Sequence, residues 1–204
     1  MQNLRTCKLC KRLSKNFIKL RKLYPKYHNQ PVEPLGSLKS KICIVGLAPG
    51  LHGANKTGKP FYGDFSGSKL LNILENNKLS TNYFLDRYKP VYITNTIKCY
   101  PPENQPKLVE IKNCLPFLIQ EFHKLKNLKV IVALGHVAHN TVLRAFSLNL
   151  SKFQFNHGKI HKISCKKLLL DSYHCSKINM NSRKLTSEML LDVFKTAKKI
   201  AYAI

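Results

Sequence analysis

Apolar side chains follow two rhythms along the chain. Short, nearly continuous apolar runs at residues 41–47 (KICIVGL), 91–97 (VYITNTI) and 129–134 (KVIVAL) suit strands buried on both faces of a sheet. Elsewhere the apolar positions recur every three or four residues, as on one face of a helix. Leu9, Leu13, Phe17, Leu20 and Leu23 do so within residues 1–24, and Leu108, Ile111, Leu115, Leu118 and Phe122 within residues 107–125. Pro116 lies inside the second run and is expected to kink it. Residues 66–76 read as a helix with Ser66 or Ser68 as N-cap. Residues 135–146 read as another, and Thr186 begins a last one with Glu188 in its first turn. Residues 159–164 suit an edge strand, and residues 167–170 lead into Asp171-Ser-Tyr-His174. Proline and glycine mark residues 24–38 and 101–106 as loops. Strands that alternate with helices predict an α/β fold with a mainly parallel central sheet. No repeat, low-complexity tract or domain boundary interrupts the pattern, so residues 1–204 are expected to form a single domain.

At 204 residues with 44% apolar content the chain is long enough to bury a sizeable core. Charge changes the picture more. Thirty-five Lys and Arg face ten Asp and Glu, a net +25. Such an excess points to a polyanionic partner, nucleic acid first and an anionic membrane second. No apolar run approaches the ~18 residues of a membrane span. The polar start lacks the apolar core of a signal peptide. The chain therefore reads as a soluble cytoplasmic protein. It has no tryptophan, so base stacking would fall to Phe, Tyr, His or Arg.

Seven cysteines, an odd number, do not describe a disulfide framework. Cys7-Lys-Leu-Cys10 brings two thiols into one turn. Cys99 follows the second strand, and Cys114 sits on the next helix. Spacing alone leaves three readings open: ligands of an iron–sulfur cluster, ligands of zinc, or plain thiols. Arg5, Lys8, Lys11, Arg12 and Lys98 would partly offset the charge of four thiolates. Cys43, Cys165 and Cys175 read as small core residues.

Residues 46–67, GLAPGLHGANKTGKPFYGDFSG, follow the carboxyl end of the first strand, where open α/β sheets bind ligands. Their glycines let backbone approach a ligand closely. The segment is neither a G-x-G-x-x-G turn nor a phosphate-binding P-loop. It resembles the first motif of the uracil-DNA glycosylase superfamily in its family 5 (type B) form. TNTIKCYPP (94–102) resembles that family's second-strand motif, and SYHCSKINMNSRKLTSEM (172–189) its carboxyl-terminal histidine motif. Cys7, Cys10, Cys99 and Cys114 stand where families 4 and 5 hold a [4Fe–4S] cluster. The matches cover most of the chain, in order.

The resemblance implies a three-layer α/β/α sandwich around a four-stranded, mainly parallel sheet, with residues 1–24 as a cluster-binding helical region. It implies a DNA-repair enzyme that hydrolyses the N-glycosidic bond of uracil, and of related deaminated bases such as hypoxanthine; a monomer is the default expectation. His174 would donate a hydrogen bond to the leaving base. Backbone of Gly46, Leu47 and Ala48 would assist it. Asn95 would read the uracil edge, and Phe61 would stack on the ring. Ala48 and Pro49 occupy the stretch where classical uracil glycosylases carry a carboxylate, so Asp64 is the expected water positioner. Asn179 is assigned to DNA or sugar contact and residues 177–184 to the DNA backbone, with Ile178 or Met180 as a wedge between bases. Two alternatives remain: an iron–sulfur DNA-binding protein without glycosylase activity, and a zinc-binding DNA module.

Overall fold

The structure, a computed structural model, describes residues 3–82 and 89–202. Its sheet has four parallel strands at the centre: β2 (Ile42–Gly46), β4 (Lys89–Asn95), β5 (Val130–Leu134) and β7 (Leu168–Ser172). Shorter strands finish the edges: β1 (Leu35–Gly36), β3 (Leu79–Ser80) and β6 (Ile160–Lys162). The order is β1–β4–β2–β5–β7–β6. β1 and β6 run antiparallel, and β3 pairs in parallel with the first residues of β4. The expected four-stranded parallel core is thus present inside a wider mixed sheet.

Every residue of β2 and β5 is buried, because helices cover both faces. Ile42, Ile44, Val91, Ile93, Val130 and Val132 pack against α3 (Phe65–Asn76) and α7 (Ser187–Tyr202) through Leu70, Leu74, Leu190 and Phe194. The alternate residues Cys43, Val45, Tyr92, Ile131 and Ala133 face α4 (Leu108–Lys124) and α5 (His136–Ala145) through Leu118, Phe122, Val142 and Leu143. Period-2 alternation along each strand therefore builds two separate cores, one per face. α4 continues through Pro116 as one helix. No helix among the described residues is long and apolar enough to cross a membrane.

The amino-terminal helix begins directly after the Cys7–Cys10 pair. A 3-10 turn at Leu4–Thr6 comes first, and α1 spans only Lys11–Leu23. Its Leu13, Phe17 and Leu20 are buried, while Leu9 lies before the helix and is exposed with Leu23. Arg12 closes a bidentate pair with Glu110 (2.8 and 2.7 Å), which ties α1 to α4.

Lys98 is fully buried, and its ammonium donates to Glu121 of α4 (3.0 Å), to the Asn95 carbonyl (2.8 Å) and to Thr94 Oγ1 (2.5 Å). A buried charge is tolerated only when paired and hydrogen-bonded, and here all three ammonium protons have acceptors. Truncating one partner strands the other charge in the core. Glu121→Ala is expected to lower stability by about 3–5 kcal/mol, and a double change of Lys98→Met with Glu121→Leu to recover part of that loss. Urea denaturation curves of the two variants check it; a near-neutral Glu121→Ala would show that the pair is solvated.

Candidate functional site

The parallel strands β2 and β4 end side by side, with Gly46 in register with Asn95. Backbone pairing then continues one step into the loops: Thr96 donates to the Gly46 carbonyl (2.8 Å) and Ile97 to that of Leu47 (3.1 Å). This keeps both chain segments level as they leave the sheet. The strand expected to reach Ile97 stops at Asn95 for this reason. Beyond these ends lies a cleft of about 560 Å³. Leu47, Ala48, Phe61, Asp64, Asn95 and His174 all line it, so six of the eight residues named above for catalysis and substrate binding meet in one place.

Gly46 and Asn179 stand behind the wall. A Cβ on Gly46 would lie 2.5 Å from Asn95 Oδ1 and 2.6 Å from the Phe61 ring, so no side chain fits there. Asn95 is buried, and its Oδ1 has no hydrogen-bond partner among the described residues. An orphaned buried acceptor in a cleft wall is a group waiting for a donor. Phe61 is 7% exposed and adopts a left-handed backbone (φ 58°), a strained geometry for an aromatic residue. Its ring lies 6.3 Å from that of His174, tilted by 32°.

The 46–67 loop is not wholly irregular, since Ala54–Thr57 forms one turn of helix, α2. α3 starts earlier than expected, with Asp64 rather than a serine as its N-cap: Oδ1 accepts from Gly67 N–H at 2.8 Å. Asp64 Oδ2 lies over Gly53, where any Cβ would collide with it, and borders the cleft. The residue therefore has two roles, with one oxygen holding a helix and the other beside the ligand space.

β7 delivers His174 from the opposite side. Its imidazole makes no hydrogen bond among the described residues. Burial pushes it below its usual pKa, against the opposing pull of the Asp64 carboxylate. A neutral ring is thereby favoured at pH 7. Asn179 donates through Nδ2 to the His174 carbonyl at 2.8 Å. This bond braces the histidine segment, and Asn179 does not line the cleft. The short helix α6 (Lys177–Asn181), capped by Ser176, carries it. On the same turn Ile178 is 79% exposed at the cleft edge, while Met180 packs against the core.

Two residues before Tyr173, β7 is clamped by an arrangement with no sequence signature. Both oxygens of buried Asp171 are hydrogen-bonded to imidazoles, to His139 Nδ1 at 2.7 Å and to His161 Nε2 at 2.8 Å. Among the described residues only these three bring ligand atoms close enough together for a single metal ion. Each carboxylate oxygen is already engaged, so the set reads as a hydrogen-bonded brace.

The four cysteines meet elsewhere. Cys7, Cys10, Cys99 and Cys114 line one pocket between the amino terminus, α1 and α4. Lys98 N–H donates to Cys114 Sγ (3.4 Å) and Asn113 to Cys10 Sγ (3.6 Å). Burial raises the thiols of Cys10, Cys99 and Cys114, the last to about 11. The cations expected around them are mostly committed: Arg5 to Glu33, Arg12 to Glu110 and Lys98 to Glu121. Cys43 and Cys175 are core residues as expected, but Cys165 is exposed, in the turn between β6 and β7.

His52, Glu103, Asn104 and Ser176 also line the cleft and were not singled out. The backbones of Glu103 and Asn104 are both left-handed (φ 58° and 56°). The bracketing prolines of residues 101–106 announce a loop, but not its turn toward the cleft.

Comparison with known proteins adds the family. A family model described as "Uracil DNA glycosylase superfamily" matches residues 33–198. The chain is similar to a type-5 uracil-DNA glycosylase of Thermus thermophilus, at 36% identity over 98% of this chain and 96% of that protein. It is similar to a type-5 uracil-DNA glycosylase of Pyrobaculum aerophilum, also at 36%, over 84% of this chain and 76% of that protein. A type-4 uracil-DNA glycosylase of Archaeoglobus fulgidus matches at 32% over 65% of this chain and 62% of that protein. With motifs in order, a shared cleft and these relatives, the chain belongs to the uracil-DNA glycosylase superfamily.

Proposed function

We propose that the protein is a monofunctional uracil-DNA glycosylase, which hydrolyses the bond between uracil and deoxyribose C1′ and leaves an abasic site. The observation that carries this reading is the cleft. It combines a buried imidazole kept neutral, an orphaned amide acceptor, an aromatic ring and a carboxylate oxygen. An extruded uracil would stack on Phe61. Asn95 Oδ1 would accept from uracil N3–H. Cytosine has no proton at N3 and would leave that buried acceptor unpaired, at a cost of about 1–3 kcal/mol. As the bond breaks, negative charge gathers on the base, and His174 donates a hydrogen bond to it; Leu47 and Ala48 would assist. Asp64 Oδ2 would orient water and favour the cationic sugar. The exposed Ile178 would take the place of the lost base, and the Lys177–Lys184 stretch would meet phosphates. Asn179 would keep the histidine segment in place. The proposed protein works as a monomer on DNA in the cytoplasm.

We further propose that Cys7, Cys10, Cys99 and Cys114 hold a [4Fe–4S] cluster. Their thiols share one pocket with amide donors beside two of the sulfurs, and they are not gathered closely enough for one ion. Burial raises the thiols of Cys10, Cys99 and Cys114, so a positive metal centre is what would turn them into ligands. When bound, such a cluster would cross-link the amino terminus, β4 and α4; hydrolysis transfers no electrons.

Base release from a labelled duplex with one U·G pair, read as alkali-sensitive breaks, tests the activity. His174→Ala is expected to lower it at least ~100-fold with little change in DNA affinity. DNA binding without base release by folded wild-type protein would overturn the proposal. The pH profile follows from the sign of the His174 shift. The neutral ring is the competent form and its folded pKa is depressed. Activity should therefore persist below the ordinary imidazole value of about 6.5 and fall as pH drops through the lower, folded value. An inflection above 6.5 would contradict this. Cys7→Ser should lower folded yield and remove a visible absorbance near ~400 nm; a colourless wild-type protein that binds zinc would exclude the cluster.

A further inference from the structure

His52 leaves the 46–67 loop at the mouth of the cleft and is exposed, yet its ring is held by two tyrosines. Tyr24 and Tyr27 stack on each other at 4.8 Å and 20°. His52 stands edge-on to both, at 5.7 Å and 87° and at 6.0 Å and 86°. Tyr27 Oη lies 3.0 Å from His52 Nδ1. The tyrosines in turn rest on a rigid base. Asn29 and Asn55 are fully buried and joined at 2.9 Å, and Asn29 Nδ2 donates to the Tyr24 carbonyl at 2.8 Å. His28 and Asn29 N–H groups bond the carbonyls of Lys56 and Asn55 on α2. Tyr24 and Leu51, which lines the cleft, pack against one buried cluster of Phe17, Leu20 and Tyr100. An exposed imidazole does not need this much support for packing; it is what a preorganised contact needs.

The surroundings narrow the ligand. Lys56 lies 5.5 Å over the Tyr27 ring and Lys59 5.8 Å over that of Tyr62. The first 63 residues hold one carboxylate, Glu33, against thirteen Lys and Arg, and Glu33 is bound to Arg5. A flat ring in a strongly basic field is the arrangement that receives an unpaired base on a polyanionic strand. We propose that His52 is a stacking platform for the base immediately next to the extruded nucleotide, on the same strand and unpaired. Tyr27 and Tyr24 are its positioning residues. Such a platform takes an unpaired base, which a single strand presents directly. The inference builds on the proposed function of the cleft but concerns nucleic-acid contact alone.

The test reads binding rather than turnover. A single-stranded oligonucleotide carries 2-aminopurine beside a stable abasic site, in both flanking positions. Wild-type protein is expected to change the 2-aminopurine fluorescence in one of them. His52→Ala should abolish that change and weaken affinity about tenfold. Tyr27→Phe, which keeps the stacked ring but loses the hydrogen bond, should fall between the two. Duplex affinity should respond less to either change. If His52→Ala instead leaves fluorescence intact and lowers the salt slope by about one, the residue contacts phosphate and the stacking role is overturned. Unchanged fluorescence and affinity also overturn it. Because no step requires base release, failure of the glycosylase reading would show separately, as normal binding without product.

Discussion

One buried ammonium organises the working end of this protein. Lys98 holds the carbonyl of Asn95, the hydroxyl of Thr94 and the carboxylate of Glu121, while its own backbone N–H reaches Cys114 Sγ. It therefore fixes the last turn of β4 to α4 from the inside. The cleft lies on one side of this junction, with Asn95 in its wall, and the cysteine pocket lies on the other. Desolvating a lysine costs several kcal/mol unless every proton finds an acceptor. That requirement makes the junction stiff: moving Asn95 or α4 leaves a buried charge unpaired. The proposed base reader and the proposed cluster ligand are thus joined through a single residue, Asn95 by its ammonium and Cys114 by its backbone N–H.

Close approach is the second constraint. The cleft exists because Gly46 leaves room for Asn95 and Phe61, and Gly53 leaves room for Asp64 Oδ2. The bulk of these side chains takes the place a Cβ would fill. The left-handed backbone of Phe61 aims its ring toward His174, and the rest of the loop over-determines that strained geometry. α3 contributes by binding the other oxygen of Asp64. Helix capping and site geometry are therefore one interaction, and the early start of α3 at Phe65 follows from it.

The sheet and its covering helices were legible because burial on two faces writes continuous apolar runs, and burial on one helical face writes a three-four spacing. The edges were not. β1 and β3 are two residues each and leave no periodic trace. Ser66 looked like a cap because serine caps helices well, but Asp64 takes the role and Ser66 offers its carbonyl to Cys175 Sγ. The site residues were legible as motifs, and the structure gathers six of them. Their division of labour was not. Nothing local to Asn179 reveals that its amide is turned to the His174 carbonyl, or that Asp171 holds two imidazoles drawn from α5 and β6. Lys98 looked like one more cation near the thiols, because a partner 23 positions away is a tertiary fact. Ile178 and Met180 were equivalent on paper; one turn of helix sends Met180 into the core and Ile178 outward.

The same pairing logic explains the surface charge. Ten carboxylates must serve the whole chain, and four of them are used inside the fold. Glu110 and Glu121 bind Arg12 and Lys98 across elements, Asp171 binds two histidines, and Asp64 caps a helix. Glu33 and Asp192 take Arg5 and Lys195 at the surface. Few acids remain near the exposed lysines, so the composition's excess of positive charge stays on the surface. Such a field draws in a polyanion from any direction and speeds encounter without selecting sequence. Selection must then come from the few uncharged groups that face the cleft: an orphaned amide oxygen, a neutral imidazole and two aromatic rings. On the proposed function, charge brings nucleic acid to this protein, and the groups that would discriminate among bases carry no charge at all.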